Sequence, residues 1–437
     1  MTFWKIHLAL LLASCTFLSA QTRKPSGKPL PPSAFKLISI KVTGSKRYAP
    51  DELISAIGLQ LGQTVSEDDF KRVSQHLGET GAFSNVVYSF QFSPAGTKLE
   101  LQVTDSGQFV PARFDNFVWF SDRELLEKLH ERVPLFHAQL PVAGSLADQV
   151  SDALQALLIE RKIEGRADYL RAAREDGPIE AFAFSVTGPT IHIRNVEFTG
   201  AGPAELPLLR AAASKLPGQD YLRSILRVQA DKALLPVYLE RGYLKAAFAD
   251  AQPIIVRDSP QETVVDVTFP VDPGRQYKTT EIQFSGYKAF PIEKLRELIH
   301  QQLGQPANAV QLASDLEATK KLYGTRGYMA ASIQTTPEMD DAQSTVKYLL
   351  QFHEGDVYKM GELEIRGLDS RATARLVERW KLLAGNPYDS SYAKRFLDES
   401  ANELPRHVQW DIAIHESLNE NDKTVDVTLR IDPKASR

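Results

Sequence analysis

The sequence predicts an α+β fold repeated in tandem, with about five β-α-α-β-β modules in series. Three observations carry that expectation. Short strands alternate apolar and polar residues just before a turn residue, each strand is followed by two helices with recognisable starts, and the whole pattern returns at intervals of roughly 80 residues. The turn after the opening strand falls at Gly44, Ser121, Gly200, Gly286 and Gly367.

The fourth module is the most complete. Ile282 and Phe284 alternate with polar residues ahead of Gly286, as in a short strand. A helix is expected over 291–303, with Pro291 in its first turn, Leu295, Leu298, Ile299 and Leu303 at helical spacing, and Gly304 as its stop. The second helix, about 308–325, carries Leu312, Leu316 and Leu322 on one face and ends in Arg326-Gly327-Tyr328, where Gly327 suits a left-handed cap. Strands over 331–336 and 345–352 complete the unit, and Glu354-Gly355 closes it.

The other modules follow that order. In the first, a strand ends at Gly44, Pro50 opens a helix, and Ser66 with Asp69 caps a second helix bearing Phe70, Val73 and Leu77; strands follow over 86–92 and 99–103. The second has an expected strand over 114–120, a capping box from Ser121 to Glu124, a longer helix over 146–163, and strands over 169–173 and 179–186. The third runs from Ile191 to Gly200, through a long helix that Pro236 should kink or divide, past Arg241-Gly242-Tyr243, to a strand over 264–269. In the fifth, helices near 371–383 and 390–404 lead to a final strand over 424–431, with Leu404-Pro405 in place of the Gly-Tyr pair. The expected boundaries are 35–105, 109–188, 190–272, 277–355 and 358–433.

A chain of 437 residues is too long for one core and suits several small ones. Its 43% hydrophobic and 24% charged residues can build folded modules, and neither its 25 prolines nor its 25 glycines imply wholesale disorder. A net charge of -4 gives no electrostatic ground for binding nucleic acid. Residues 1–20, with Lys5 ahead of an apolar run and small residues before Gln21, have the form of a secretory signal. Cleavage after Ala20 is one expectation. Lipidation of Cys15, within the lipobox-like Leu12-Ala13-Ser14-Cys15, is the other, and would anchor the chain to a membrane. Cys15 is the one cysteine, so no disulfide is expected in the mature chain. Residues 21–34, rich in proline and cations, read as an extended tether.

Ile282 to Gly286, Arg326-Gly327-Tyr328 and Tyr348 to Gly355, with their counterparts in the other modules, resemble the POTRA domain of BamA-type outer-membrane assembly factors. The resemblance implies a three-stranded mixed sheet backed by two helices per module, with the first strand beside the last and the penultimate strand at an edge. It also implies a periplasmic location at the outer membrane of a Gram-negative-type bacterium, and an elongated monomer working within a larger complex. An open edge offers unpaired backbone groups to which an unfolded client can add as a strand. The edges expected to do so lie over 86–92 (Val86, Tyr88, Phe90), 169–173 (Tyr169), 254–256 (Ile254, Val256), 332–335 (Ser332, Ile333, Thr335) and 409–414 (Gln409, Ile412, Ile414). The partners implied are unfolded outer-membrane polypeptides and barrel-assembly components.

BamA-type chains continue into a membrane β-barrel, whereas only Asp432 to Arg437 follow Ile431. Membrane insertion by this chain itself is therefore not expected; a helper, a separate periplasmic half and a truncated product stay open. An envelope or cell-division scaffold is the alternative function, since single modules of this kind also occur in division proteins. No cofactor and no catalytic group is expected. His130-Glu131 and His415-Glu416 lack the second histidine that a zinc helix places four residues on, so they read as surface or junction residues. No phosphate loop follows Gly200 and Gly202, and no serine-nucleophile signature is present. Glu67, Asp68 and Asp69 suit a helix start rather than an acid-base pair, and Trp119, Trp380 and Trp410 read as core residues.

Overall fold

A computed structural model describes residues 30–173, 177–259, 261–403 and 408–434. The leader, Cys15 and most of the tether lie outside these residues. The described residues fall into two compact units, one holding the first module and most of the second, the other holding the remainder.

The first module comprises β1 (Leu37–Thr43), α1 (Pro50–Ile57), α2 (Glu67–Glu79), β2 (Phe83–Ser93) and β3 (Gly96–Asp105). The last strand lies in the middle, parallel to β1 and antiparallel to β2. Ser66 caps the second helix as the sequence indicates, its N–H donating to Asp69 Oδ2 at 2.7 Å, and the first helix start is capped as well, Ala49 N–H donating to Glu52 Oε2 at 2.8 Å. Those bonds from Ser66, with Arg72 beside it, hold the Asp69 carboxyl below the usual carboxylate range.

In the second module β4 (Phe109–Phe114), α3 (Asp122–Arg132), β5 (Gln139–Pro141), α4 (Leu146–Glu160), β6 (Arg166–Ala173) and β7 (Ile179–Thr187) form a sheet in the order β5-β4-β7-β6. The expectation of a strand over 114–120 fails, because β4 ends where that stretch begins. Phe117, Val118, Trp119 and Phe120 are buried in a turn instead. Asn116 holds that turn by bonding both backbone groups of Val186, at 2.7 and 2.9 Å. Buried apolar turns and buried strands have the same composition, and only this pairing separates them.

The third module contains β8 (Thr190–Thr199), α5 (Leu206–Ala212), α6 (Arg223–Gln229), α7 (Leu235–Leu239), β9 (Ala247–Phe248), β10 (Gln252–Asp258) and β11 (Glu262–Asp272). Its sheet runs β10-β11-β8, with the short β9 also on β11. Pro236 does divide the long helix: the turn before it, Ala230–Leu234, is a π-helix that absorbs the missing donor.

The fourth module has β12 (Lys278–Ser285), α8 (Ile292–Glu297), α9 (Ala309–Gly324), β13 (Ser332–Asp340) and β14 (Thr345–His353), in the sheet order β12-β14-β13. The first helix stops at Glu297, short of the expected 303. The buried Asp315 of α9 captures the backbone and ring of His300 at 2.7 and 2.8 Å, pulling the chain out of helical register. The fifth module, β15 (Lys359–Arg366), α10 (Ser370–Arg379), α11 (Tyr392–Ser400), β16 (Trp410–Asn419) and β17 (Thr424–Pro433), has the sheet order β15-β17-β16.

Each module has its own core between sheet and helices. In the fifth, Val425, Val427, Leu429 and Ile431 of β17 pack with Leu376, Phe396 and Trp380. Trp119 is likewise buried, and Trp410 packs at the margin of the fifth core. The turn glycines Gly44, Gly200, Gly286 and Gly367 all adopt φ between +78° and +101°. A side chain there would run into the carbonyl of Val103, Val271, Phe352 or Ile431, so glycine is required twice over. Ser121 is not their counterpart; at φ -69° it is the cap of α3, accepting from Glu124 N–H.

The glycine of the Gly-Tyr pairs serves the next module as well as its own helix. Tyr277 N–H donates to Gly242 O at 2.8 Å and Tyr358 N–H to Gly327 O at 2.7 Å. Ala307 N–H and Tyr388 N–H then donate to the carbonyls of Tyr277 and Tyr358, each at 2.9 Å. The junctions between the third and fourth and between the fourth and fifth modules thus repeat one seam. The first junction is a variant in which Gly81 abuts Ala143 and Gly144, and Ser145 N–H donates to Glu79 O at 2.8 Å.

Candidate functional site: the sheet edges and their helix grooves

All five penultimate strands, β2, β6, β10, β13 and β16, lie at the outside of their sheets. Among the described residues, no further strand pairs with their outer sides. The edges differ in what covers them.

On β2, Val86, Tyr88 and Phe90 are half-buried toward the helices, and Phe90 sits 5.1 Å from both Phe70 and Phe92. The exposed face carries Val87, Ser89 and Gln91 instead. Ser74 Oγ of α2 donates to Val86 O at 3.4 Å, a long contact that occupies one edge carbonyl.

The β6 edge is capped by the side chains of α4. Gln155 Oε1 accepts from Ala167 N–H at 2.9 Å, Ser151 Oγ reaches Ala167 O at 3.4 Å, and the Tyr169 hydroxyl donates to Asp148 Oδ1 at 2.7 Å. Burial and then the neighbouring Asp148 carboxylate raise the Tyr169 phenol. A polar groove of ≈ 280 Å³ lies here, lined by Asp148, Asp152, Arg166 and Asp168 among others.

Ile254 and Val256 on β10 point outward, 60% and 42% exposed, beside a bulge between Ile255 and Arg257. On β13, Ser332 is exposed whereas Ile333 and Thr335 are half-buried. Pro253 and Pro337 lie within these two edges, opposite Val267 and Tyr348. Proline is tolerated in a strand where its missing N–H would face away from the ladder. By alternation, the outward donors of β13 are then Ile333, Thr335 and Met339, while Ser332 faces inward.

Gln409 precedes β16, although its carbonyl accepts from Lys434 N–H at 2.7 Å and so extends the pairing with the last strand by one bond. Ile412 and Ile414 line an open groove of ≈ 480 Å³ together with Leu397, Ala401 and the stems of Lys394 and Asp398. Strand and helix here present alternate apolar side chains beside an unpaired backbone, which is the chemistry that strand addition uses.

Five sheets in series share one plan, each with its last strand central and its penultimate strand at the outside. A family model described as "Surface antigen variable number repeat", POTRA, matches residues 35–105 and 277–355. The chain carries POTRA domains related to those of BamA and Omp85 proteins, and no closed barrel occurs among the described residues. It is 25% identical over 290 residues to the outer membrane protein assembly factor BamA of Neisseria meningitidis serogroup B (strain ATCC BAA-335 / MC58). That match covers 62% of this chain and 34% of the Neisseria protein, so the chain spans about a third of that relative's length. Among solved structures, POTRA3-5 of Haemophilus influenzae BamA is 20% identical, with a TM-score of 0.44, and covers 56% of this chain and 96% of its own. POTRA1-3 of the periplasmic domain of Omp85 from Anabaena is 19% identical with a TM-score of 0.27, covering 57% and 98%.

Proposed function

We propose that this chain is a non-enzymatic, exported POTRA array that receives unfolded outer-membrane polypeptides as added strands and so assists outer-membrane protein assembly. POTRA domains of BamA-like proteins are periplasmic in Gram-negative envelopes, and this chain works there with barrel-assembly components. The five modules, 35–105, 109–188, 190–272, 277–355 and 358–433, are its working units. The observation that supports this reading is the β16 edge, where a strand paired on one side alone borders an apolar groove formed by Ile412, Ile414 and Leu397. An entering segment would pair its backbone with β16 and set alternate apolar side chains against α11, with little demand on its sequence.

The test uses photo-crosslinkers at Ile414 and, for comparison, at Tyr169. A peptide of alternating apolar and polar residues is expected to crosslink at Ile414, and the same peptide with prolines on its pairing side is expected not to. Equal crosslinking by both peptides would mean that backbone pairing is not the mode of binding.

A further inference from the structure

We propose that Glu52, His130 and His137 form a binding site for a divalent transition metal of the zinc type, which ties the first module to the second. Glu52 comes from α1, His130 from the last turn of α3, and His137 from the loop that follows it. Their ligand atoms all lie within 4.8 Å of one another.

The carboxylate is already oriented. Glu52 Oε2 accepts the capping bond from Ala49, which leaves Oε1 facing His137 Nε2 at 2.8 Å and His130 Nε2 at 3.5 Å. The His130 ring is oriented too, because its Nδ1 lies 3.2 Å from Phe136 O. A carbonyl only accepts, so Nδ1 carries the proton and a neutral ring leaves Nε2 as a bare lone pair. That lone pair is aimed at a carboxylate oxygen, and two lone pairs at such a distance repel unless a proton or a metal ion sits between them. The same backbone bond on the far ring nitrogen is the usual second partner of a zinc-bound histidine.

The distances suit a metal. Zinc bonds of about 2.0–2.2 Å at a tetrahedral angle separate two ligand atoms by about 3.4 Å. The His130 distance of 3.5 Å already meets that value, and His137 at 2.8 Å would open by roughly 0.6 Å. Two imidazoles and one carboxylate select zinc, cobalt, nickel or copper over magnesium or calcium, which require a shell of oxygens. Three protein ligands leave the fourth position to water. The side chains of Glu52, His130 and His137 are 22%, 43% and 32% exposed, so an ion can enter from solvent. The loop that carries His137 is firm: Leu135 and Phe136 are each 2% exposed, and Ala138 holds a left-handed φ of +58° immediately after the ligand.

The experiment titrates cobalt(II) chloride into the full chain, freed of metal with a chelator, at about pH 7.5 where the imidazoles can coordinate. One equivalent of cobalt is expected to bind with visible ligand-field bands that zinc chloride displaces, and zinc is expected to raise the unfolding midpoint. His130→Gln and His137→Gln should each weaken binding beyond the about 10–100-fold that outer-sphere changes cost. Both should unfold, without metal, as the unsubstituted chain does, which separates a lost ligand from a lost fold. Glu52→Gln should lose the bands while its amide oxygen keeps the α1 cap. The proposal is overturned if no stoichiometric cobalt binds, which would leave Glu52 as the partner of a protonated histidine. It is also overturned if the bands persist in the His130→Gln, His137→Gln double variant, which would place the metal elsewhere.

Discussion

The β6 and β16 edges occupy the same position in their modules and have opposite surfaces. On β6, a glutamine, a serine and an aspartate from the adjoining helix take up the backbone and the tyrosine of the strand. On β16, the adjoining helix offers Leu397 and Ala401, and the strand offers Ile412 and Ile414. Topology alone therefore does not make an edge available. What decides is whether the second helix spends polar side chains on the outer backbone or leaves it bare beside an apolar wall. A client meeting β6 must displace hydrogen bonds that already exist, whereas one meeting β16 exchanges only water.

The largest expected effect on this contrast comes from Gly367→Val, which sets a branched side chain at a left-handed φ against the Ile431 carbonyl. It should destabilise the fifth module by about 3 kcal/mol or more in denaturant titration, because strain and overlap add. Peptide crosslinking at β16 should vanish with it; undiminished peptide binding by the whole chain would show that β6 or another edge suffices. Next, Leu397→Asp should weaken peptide binding about tenfold, equivalent to about 1.4 kcal/mol, by placing a charge in the apolar groove. A smaller, opposite effect is expected on β6. Gln155→Ala should cost about 1 kcal/mol of stability by stripping the Ala167 N–H of its acceptor, and should raise crosslinking at Tyr169. No increase would mean that groove polarity, rather than capping, closes this edge.

On β13, Thr335→Pro should remove an outward donor and lower client binding with little effect on stability, while Ser332→Pro should break an inward ladder bond and destabilise the sheet. Amide exchange across β13 and β14 distinguishes the two. The smallest effect concerns pH at the seam between the third and fourth modules. Lys245 and the Tyr277 hydroxyl, both 2.6 Å from Asp341, hold its carboxyl below the usual aspartate range. A folded value below the unfolded one gives a contribution that is complete above the unfolded value and is lost as pH falls through the folded value. The protection factors of amides near Tyr277, with the intrinsic exchange rate divided out, should therefore fall on acidification, and Asp341→Asn should abolish that fall. Because the Lys245 and Asp341 side chains are largely open to solvent, the change should be slight.

Much of the fold was legible because its signals are local. Ser66 with Asp69, Ser121 with Glu124, Pro236 as a helix breaker and the glycines after the opening strands each act within a few residues. Misreadings arose where a distant residue decided the outcome. Asn116 turns an apolar run away from strand geometry by pairing with Val186, and Asp315 ends a helix by seizing His300. The five edges followed from the family resemblance, yet their coverings did not, since Gln155 and Leu397 look alike as helix-surface positions until the strand beside them is known. His130 is not legible as a ligand from the sequence, because no partner stands four residues along the same helix. Its partners lie instead across a turn, at His137, and in another module, at Glu52.

The glycine seam bears on how such a chain matures. Gly242 and Gly327 close the second helices of the third and fourth modules, and their carbonyls accept from Tyr277 and Tyr358, which open the modules that follow; Gly327 O also accepts from Met329 N–H at 2.9 Å. During synthesis, amino end first, each bead lacks that seam bond until its successor has begun to form. Folding then advances like a zipper closing toward the carboxyl end, and a stall at any point leaves one open seam at the growing end.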